Sequence, residues 1–305
     1  MSKVLIGGGT GLVGQALAKN IVASGHQVSI LSRREQPNSD IPVYLWDVEA
    51  GTIDDRAVAE ADVIVNLAGE GIADGRWTDA QKRRIIRSRT QSAELIKAAM
   101  QRVGHAEQKT YISAAAQGFY GNRAHAWVTE NEAPAGVGFL SESCVAWEKA
   151  ANSVAESGVR LVVFRIGIVL SMRGGALPQM IMPYKFGMAT YFGYGQQYYS
   201  WLHINDLCNM IKYSIEHPDI KGVYNAATPN PVTNRQFAAA IATARGGFTL
   251  PIPVPIFALR MLLGDMADTV LTSTRLNVDK IVQTGFEFEY PDLVPALKNL
   301  GANNL

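Results

Sequence analysis

"VLIGGGTGLVGQAL", Val4 to Leu17, is the stretch on which the reading of this chain turns. A short apolar run gives way to glycines at Gly8, Gly11 and Gly14, spaced G-x-x-G-x-x-G, and then to a helix-forming segment. Each glycine has a physical use in gripping a diphosphate. The first permits a tight turn, the second lets the backbone approach the pyrophosphate, and the third lets the helix pack on the strand. The first N–H groups of the helix have no partner within it and carry the positive end of its dipole, so they face the phosphates.

The end of the next strand distinguishes between dinucleotides. "QVSILS" closes on Ser32, and Arg33 and Arg34 follow. A ribose 2′-hydroxyl wants a carboxylate at that point, whereas a guanidinium pair suits a 2′-phosphate. The expected cofactor is therefore NADP(H), with Ser32, Arg33 and Arg34 around the 2′-phosphate. Asp47, after "PVYLW", is the candidate for the adenine edge. Leu67, Ala68 and Gly69 end "DVIVNLAG" where small residues let a cofactor pass, and Glu70 follows near the nicotinamide ribose.

Strands and helices alternate through the first half. After "KVLIGG" come a helix over Leu12 to Ser24, "QVSILS", "PVYLW", "DVIVNLAG", a helix from Thr78 to Met100, "KTYISAAA", a helix over Leu140 to Ala151, and "VRLVVFRIGIV". This order predicts an α/β, Rossmann-type, doubly wound parallel sheet. Its strand C-terminal ends share one ligand-binding edge. Residues 171–199 lose periodicity. "SWLHINDLCNMIKYSIEH" then reads as a strand end running into a helix, and "GVYNAAT" as a short strand. The predicted organisation is an NADP-binding domain over 1–170, rejoined by 200–228, and a smaller C-terminal substrate lobe from 171–199 and 229–305. "LPIPVPIFALRMLL" (Leu250 to Leu263) holds three prolines and Arg260 and is too short to span a bilayer. It is expected to form a turn followed by a packed helix.

Composition narrows the partners. A formal charge of +1 over 305 residues sets up no global field for nucleic acid or an anionic membrane, and neither is expected as a partner. "QKRRIIRSR" (Gln81 to Arg89) is basic, but Ile85 and Ile86 make it an amphipathic helix. Arg76 and Arg89 are its neighbourhood's candidates to face the cofactor edge. Two cysteines, Cys144 and Cys208, make no disulfide framework, and "MSKVLIGGG" leaves no room for a signal peptide. A cytoplasmic location is expected. Five scattered histidines without H-E-x-x-H or C-x-x-C predict no metal site. The aromatic run "PYKFGMATYFGYGQQYYSW" reads either as packing or as a substrate-pocket wall with Lys185 as its cation.

Together these residues resemble the short-chain dehydrogenase/reductases, in their extended, NAD-dependent epimerase/dehydratase-like branch. They resemble more closely an atypical group called "epimerase family proteins", whose activity is unassigned. The resemblance runs from end to end. It rests on "GGTGLVG", "NLAGEGIADGRW", "SRTQSAELI", "GFYG", "WEKAA", "RIGIVL", "GGAL", "SWLHINDL", "YNAATPNPVTN" and "GFEFEYPDL". It implies bound NADP, a C-terminal substrate lobe, and a small polar, possibly sugar-nucleotide-like substrate. It also implies that Thr10, Gly11, Leu12 and Val13 touch the phosphates, and that Glu70, Arg76 and Arg165 are further cofactor-site residues.

A working short-chain reductase carries Tyr-x-x-x-Lys on the helix of "LSESCVAWEKAA", with a serine near the end of the preceding strand to hold the substrate oxygen. Matching Glu148 to the acidic residue one turn later puts that pair on Leu140 and Cys144, which cannot move a proton. None of the 11 tyrosines has a lysine four residues on, and Ala115 stands where the serine belongs. One reading is an NADP(H)-dependent oxidoreductase or epimerase-like protein with a substituted relay. Tyr120 and Ser113 are its catalytic candidates, with Glu70, Tyr199 and His203 behind them. The other is an inactive NADP-binding sensor or scaffold. Cys144, on an apolar helix face, is expected to be buried and inert. The oligomeric state is not legible in the sequence.

Overall fold

A computed structural model describes residues 1–302. Its centre is an eight-stranded sheet. We label the strands β1 (Lys3–Gly7), β2 (Gln27–Ser32), β3 (Val43–Asp47), β4 (Thr52–Ile53), β5 (Val63–Asn66), β6 (Thr110–Ala116), β7 (Arg160–Ile166) and β8 (Gly222–Ala226). Their order in space is β8-β7-β6-β5-β1-β2-β3-β4. β1 pairs in parallel with both β2 and β5, so the chain winds outward in two directions from β1. β2–β3 and β5–β6 are parallel as well, and β4 closes one edge antiparallel to β3. This is the Rossmann-type winding, and its ligand edge lies where the order reverses, at the C-terminal end of β1.

The helices that matter are α1 (Leu12–Ala23), α2 (Asp55–Glu60), α3 (Asp79–Val103) and α4 (Phe139–Ala155). α1 buries Leu17, Ala18 and Ile21, and Gly25 follows it at φ 83°, in the left-handed conformation that ends a helix. α3 starts where Thr78 accepts the Gln81 amide proton on its side chain. One core cluster joins Leu5, Ile64 and Tyr111 from three neighbouring strands to Ala93, Ile96 and Met100 of α3 and Ala151 and Val154 of α4. By strand alternation Val4 and Ile6 point the other way, and both are buried.

The described chain divides into two compact units. The first comprises Met1–Ala116, Glu142–Arg165 and Cys208–Tyr224; the second comprises Gln117–Ser141, Ile166–Leu207 and the chain from Asn225 on. This differs from the boundaries read in the sequence, which left 117–141, 166–170, 200–207 and 225–228 with the nucleotide domain. Within the second unit, Trp127–Val128 pairs in parallel with Arg275–Leu276, the Arg123 amide donates to Ser273 O, and Thr274 Oγ1 donates to Gly121 O.

Two expected elements are corrected. "VRLVVFRIGIV" is two strands, because Gly167 breaks it. Gly167 N donates to Ala226 O, and a Cβ there would lie 2.3 Å from Ser200 O. Ile168–Leu170 then pairs with Trp201–His203. Leu250–Val254 is a strand, paired in parallel with Met188–Phe192, rather than a turn. Pro251 and Pro253 alternate, so both missing N–H groups fall on the unpaired side of a two-stranded sheet. The helix after it, Ile256–Leu263, buries Leu259 but leaves Phe257, Met261 and Leu262 exposed, so it is not packed all round. Among the described residues no helix is long and apolar enough to cross a membrane.

Candidate functional site

The glycine loop is built by contact. Gly8 sits at φ 77°, and a Cβ on it would lie 2.8 Å from the Leu67 carbonyl carbon and 2.9 Å from Ala68 N. A Cβ on Gly14 would lie 2.3 Å from Gly8 O. Neither position admits a side chain while the loop stays folded against α1 and the 67–69 segment. Gly11 N donates to Gly8 O, and Gly11 is the N-cap of α1 without a side-chain cap and with no acidic residue in the first turn. The leading amides of α1 beside Thr10, Leu12 and Val13 are thus left for an outside acceptor. A phosphate group fits that donor set.

The register Gly7↔Leu31 sets the end of β2 beside this loop. Ser32 Oγ donates to Arg34 O at 2.6 Å and accepts from Arg34 N at 3.2 Å. The buried hydroxyl therefore shapes the turn that presents Arg33 and Arg34. Both arginines are exposed, and among the described residues neither has a carboxylate partner. Asp47 ends β3 at the same edge. Its Oδ1 accepts from the Glu49 and Ala50 amides at 2.9 and 3.0 Å, closing a turn.

On the other side of β1, Asn66 ends β5 fully buried. It donates to Ser92 Oγ at 3.0 Å and Tyr111 OH at 2.9 Å, and accepts from Ala68 N at 3.1 Å. This bond fixes the bend through Leu67, Ala68 and Gly69. Burial pushes the Tyr111 hydroxyl up to about 12, so it stays a neutral member of the network. Asn66 escaped the sequence reading, although an amide closing a buried apolar strand was the available signal. Glu70 is half-buried, and its amide donates to Ser88 Oγ at 2.9 Å. Arg76 is exposed on the segment before α3.

Arg165, on β7, is held by Glu148 of α4. Nε to Oε1 is 2.7 Å and Nη2 to Oε2 is 2.8 Å, with both side chains buried. That bidentate pair ties a helix to a strand and occupies two of the guanidinium's nitrogens. Cys144, one turn before Glu148, is buried, and burial pushes its thiol up to about 11. Ser113 is buried in β6, and its Oγ donates to Ala114 O at 2.9 Å.

The remaining candidates lie in the second unit. Tyr120 is fully buried, and its hydroxyl donates to Asn225 Oδ1 at 2.6 Å, while Asn225 Nδ2 donates to Val128 O and Asn277 O. This is the geometry of a packing anchor. Tyr199 donates to Val270 O, and burial raises its pKa. His203 is buried against Tyr290 with ring centroids 4.1 Å apart, and its Nδ1 accepts from Asn205 N. Burial lowers its pKa. Three residues on, Asp206 accepts the Glu289 and Tyr290 amide protons, which joins "SWLHINDL" to "GFEFEYPDL". Of the aromatic run, Tyr184, Tyr199 and Trp201 fill this unit's core, while Phe186 and Tyr194 are exposed. No group of three metal-ligating side chains occurs among the described residues.

Comparison with known proteins accords with this geometry. A family model described as "NAD dependent epimerase/dehydratase family" matches residues 4–227, and a "Domain of unknown function (DUF1731)" matches 254–300. The epimerase family protein YfhF of Bacillus subtilis (strain 168) is 37% identical over 298 residues, covering 97% of each chain. The human epimerase family protein SDR39U1 (isoform 2), in a crystal structure with NADPH, superposes with a TM-score of 0.88 at 30% identity, covering 99% of this chain and 100% of that one. A nucleoside-diphosphate sugar epimerase from Corynebacterium glutamicum gives a TM-score of 0.78 at 31% identity, covering 98% of this chain and 58% of that one.

Proposed function

The chain belongs to the NAD dependent epimerase/dehydratase family, and from that premise we propose that it binds NADP(H) and carries out hydride transfer or epimerisation on a small polar substrate of the sugar-nucleotide kind. The observation that carries the cofactor assignment is the pairing of two features at one sheet edge. The uncapped N-terminus of α1 offers free amides, and the Ser32-shaped turn beside it offers two arginines without carboxylate partners among the described residues. The human relative's structure with NADPH supports the same choice.

In this reading the amides from Leu12 to Gly14 and the Thr10 segment hold the diphosphate, with the Gly11 backbone close against it. Arg33 and Arg34 hold the 2′-phosphate, Asp47 borders the adenine, and Leu67 to Glu70 border the nicotinamide ribose. Arg76 lies on the approach to that edge, and Arg165 acts through Glu148 to fix α4. When bound, the nicotinamide supplies the hydride chemistry, and the protein supplies position and electrostatics. Ser113 is the hydroxyl nearest in sequence to the altered oxygen-holding position. A second reading, an NADP-responsive sensor or scaffold, is favoured by one observation: Cys144, at the expected lysine position, is a buried neutral thiol.

The test is a titration of NADPH and NADH against wild type, Arg33→Ala and Arg34→Ala. The expected result is tighter NADPH binding in wild type and a loss of at least about tenfold in each variant, confined to NADPH. Equal affinity for the two coenzymes in wild type overturns the 2′-phosphate assignment. A panel of sugar nucleotides and carbonyl compounds, followed by NADPH oxidation or product epimer, separates enzyme from sensor.

A further inference from the structure

Arg89 of α3 is nine-tenths buried. Its hydrogen bond runs from Nη1 to the Ile85 carbonyl at 2.9 Å, and its guanidinium lies 4.8 Å from the Trp147 ring centroid. Among the described residues no carboxylate forms an ion pair with it. A guanidinium is always charged and carries five N–H donors, so burying one with a single acceptor is costly unless something else answers it. Arg165, the other buried arginine on this side of the sheet, is by contrast given a bidentate carboxylate. The indole Nε1 of Trp147 is also buried without an acceptor, so this corner is rich in donors and poor in acceptors.

Its position says what an acceptor would be. A Cβ on Gly69 would lie 3.1 Å from Arg89 Cζ, so the side chain lies against the segment that leaves β5. Gly8 touches that same segment at Leu67 and Ala68. The buried cation therefore stands one strand from the diphosphate cradle, on the side of β1 away from Arg33 and Arg34. A dinucleotide whose adenosine half lies over β2 has its other half over β5 and β6. Burial holds the Arg89 guanidinium below its ordinary range, and the Glu70 carboxylate offsets part of that.

We propose that Arg89 is a coenzyme-binding residue that hydrogen-bonds the hydroxyls of the nicotinamide-side ribose, supplying from α3 the cation that position 144 of α4 does not. This rests on the NADP(H) reading above. The test measures dissociation constants of NADPH and of adenosine 2′,5′-bisphosphate, which lacks that ribose, for wild type, Arg89→Ala and the swap Arg89→Ala/Cys144→Lys. Intrinsic tryptophan fluorescence and calorimetry report binding. Arg89→Ala is expected to weaken NADPH at least about tenfold and leave the bisphosphate within about twofold, and the swap is expected to restore most of the loss. Equal losses for both ligands, no loss, or no recovery in a swap with a native unfolding transition overturns the proposal. Should Arg89→Ala fail to fold, Arg89→Lys decides. It keeps the charge but not the planar fork, so NADPH alone is expected to weaken by about threefold, and unchanged affinity overturns the proposal. Failure of the underlying reading looks different, since wild type would then bind NADPH no better than NADH, or bind neither NADPH nor the bisphosphate.

Discussion

At the scale of single residues the site is defined by what cannot be placed in it. A methyl group on Gly14 would meet Gly8 O at 2.3 Å and Gly9 Cα at 2.7 Å, both of them backbone atoms. Gly14→Ala is therefore expected to push α1 off the loop, costing about 1–3 kcal/mol of stability and weakening NADPH binding well beyond tenfold. Chemical denaturation and a coenzyme titration check the two effects. Cys144 makes the opposite case, a nucleophile that is present but silenced. With its thiol pushed up to about 11, roughly one molecule in a thousand carries the thiolate at pH 8. Iodoacetamide is then expected to leave it unmodified in the native protein and to label it on unfolding, read by mass spectrometry. The sign for stability follows. The folded state holds its proton more tightly than the unfolded chain, so this thiol's contribution is complete below about pH 8.5 and falls away as pH rises toward 11.

At the scale of elements, α4 is positioned by one buried ion pair. Removing one partner strands the other, so Glu148→Ala is expected to cost about 3–5 kcal/mol, measured by urea unfolding. The double change Glu148→Leu/Arg165→Met is expected to recover much of it, because no charge is then left buried alone. The same scale shows what a sequence can disclose. The β1–loop–α1 unit was legible because glycine spacing, apolar run and helix onset are all local. The strand over Leu250–Val254 was not, because prolines read as turn signals until a partner strand shows which edge they face. The single long strand expected over 159–169 failed for a related reason. Only the distant carbonyl of Ser200 makes Gly167 a break. Tyr120 looked chemically promising beside β6, and its engagement by Asn225, 105 residues away, is a contact that no local pattern encodes. Arg89 was visible as a basic residue on an amphipathic helix, but its lack of a counterion among the described residues is a property of the packed protein.

At the scale of the molecule, the first unit is assembled from three separate stretches of chain. The last of them, Cys208–Tyr224, contributes buried Cys208, Met210, Ile211 and Ile215. Arg160 Nη1 donates to the carbonyls of Ser214 and Ile220, at 3.0 and 2.7 Å, and Asn20 Nδ2 donates to Asn209 Oδ1. A fragment ending at Arg165 lacks all of these partners. It is expected to show no cooperative unfolding transition by circular dichroism, although it contains the whole glycine loop.

That interleaving bears on how the protein comes into being. The ribosome delivers the glycine loop well before Cys208–Tyr224, the stretch that completes its unit. Throughout that interval the nascent sheet carries an unfinished flank, and chaperone engagement during synthesis is expected there rather than at the β1–α1 end.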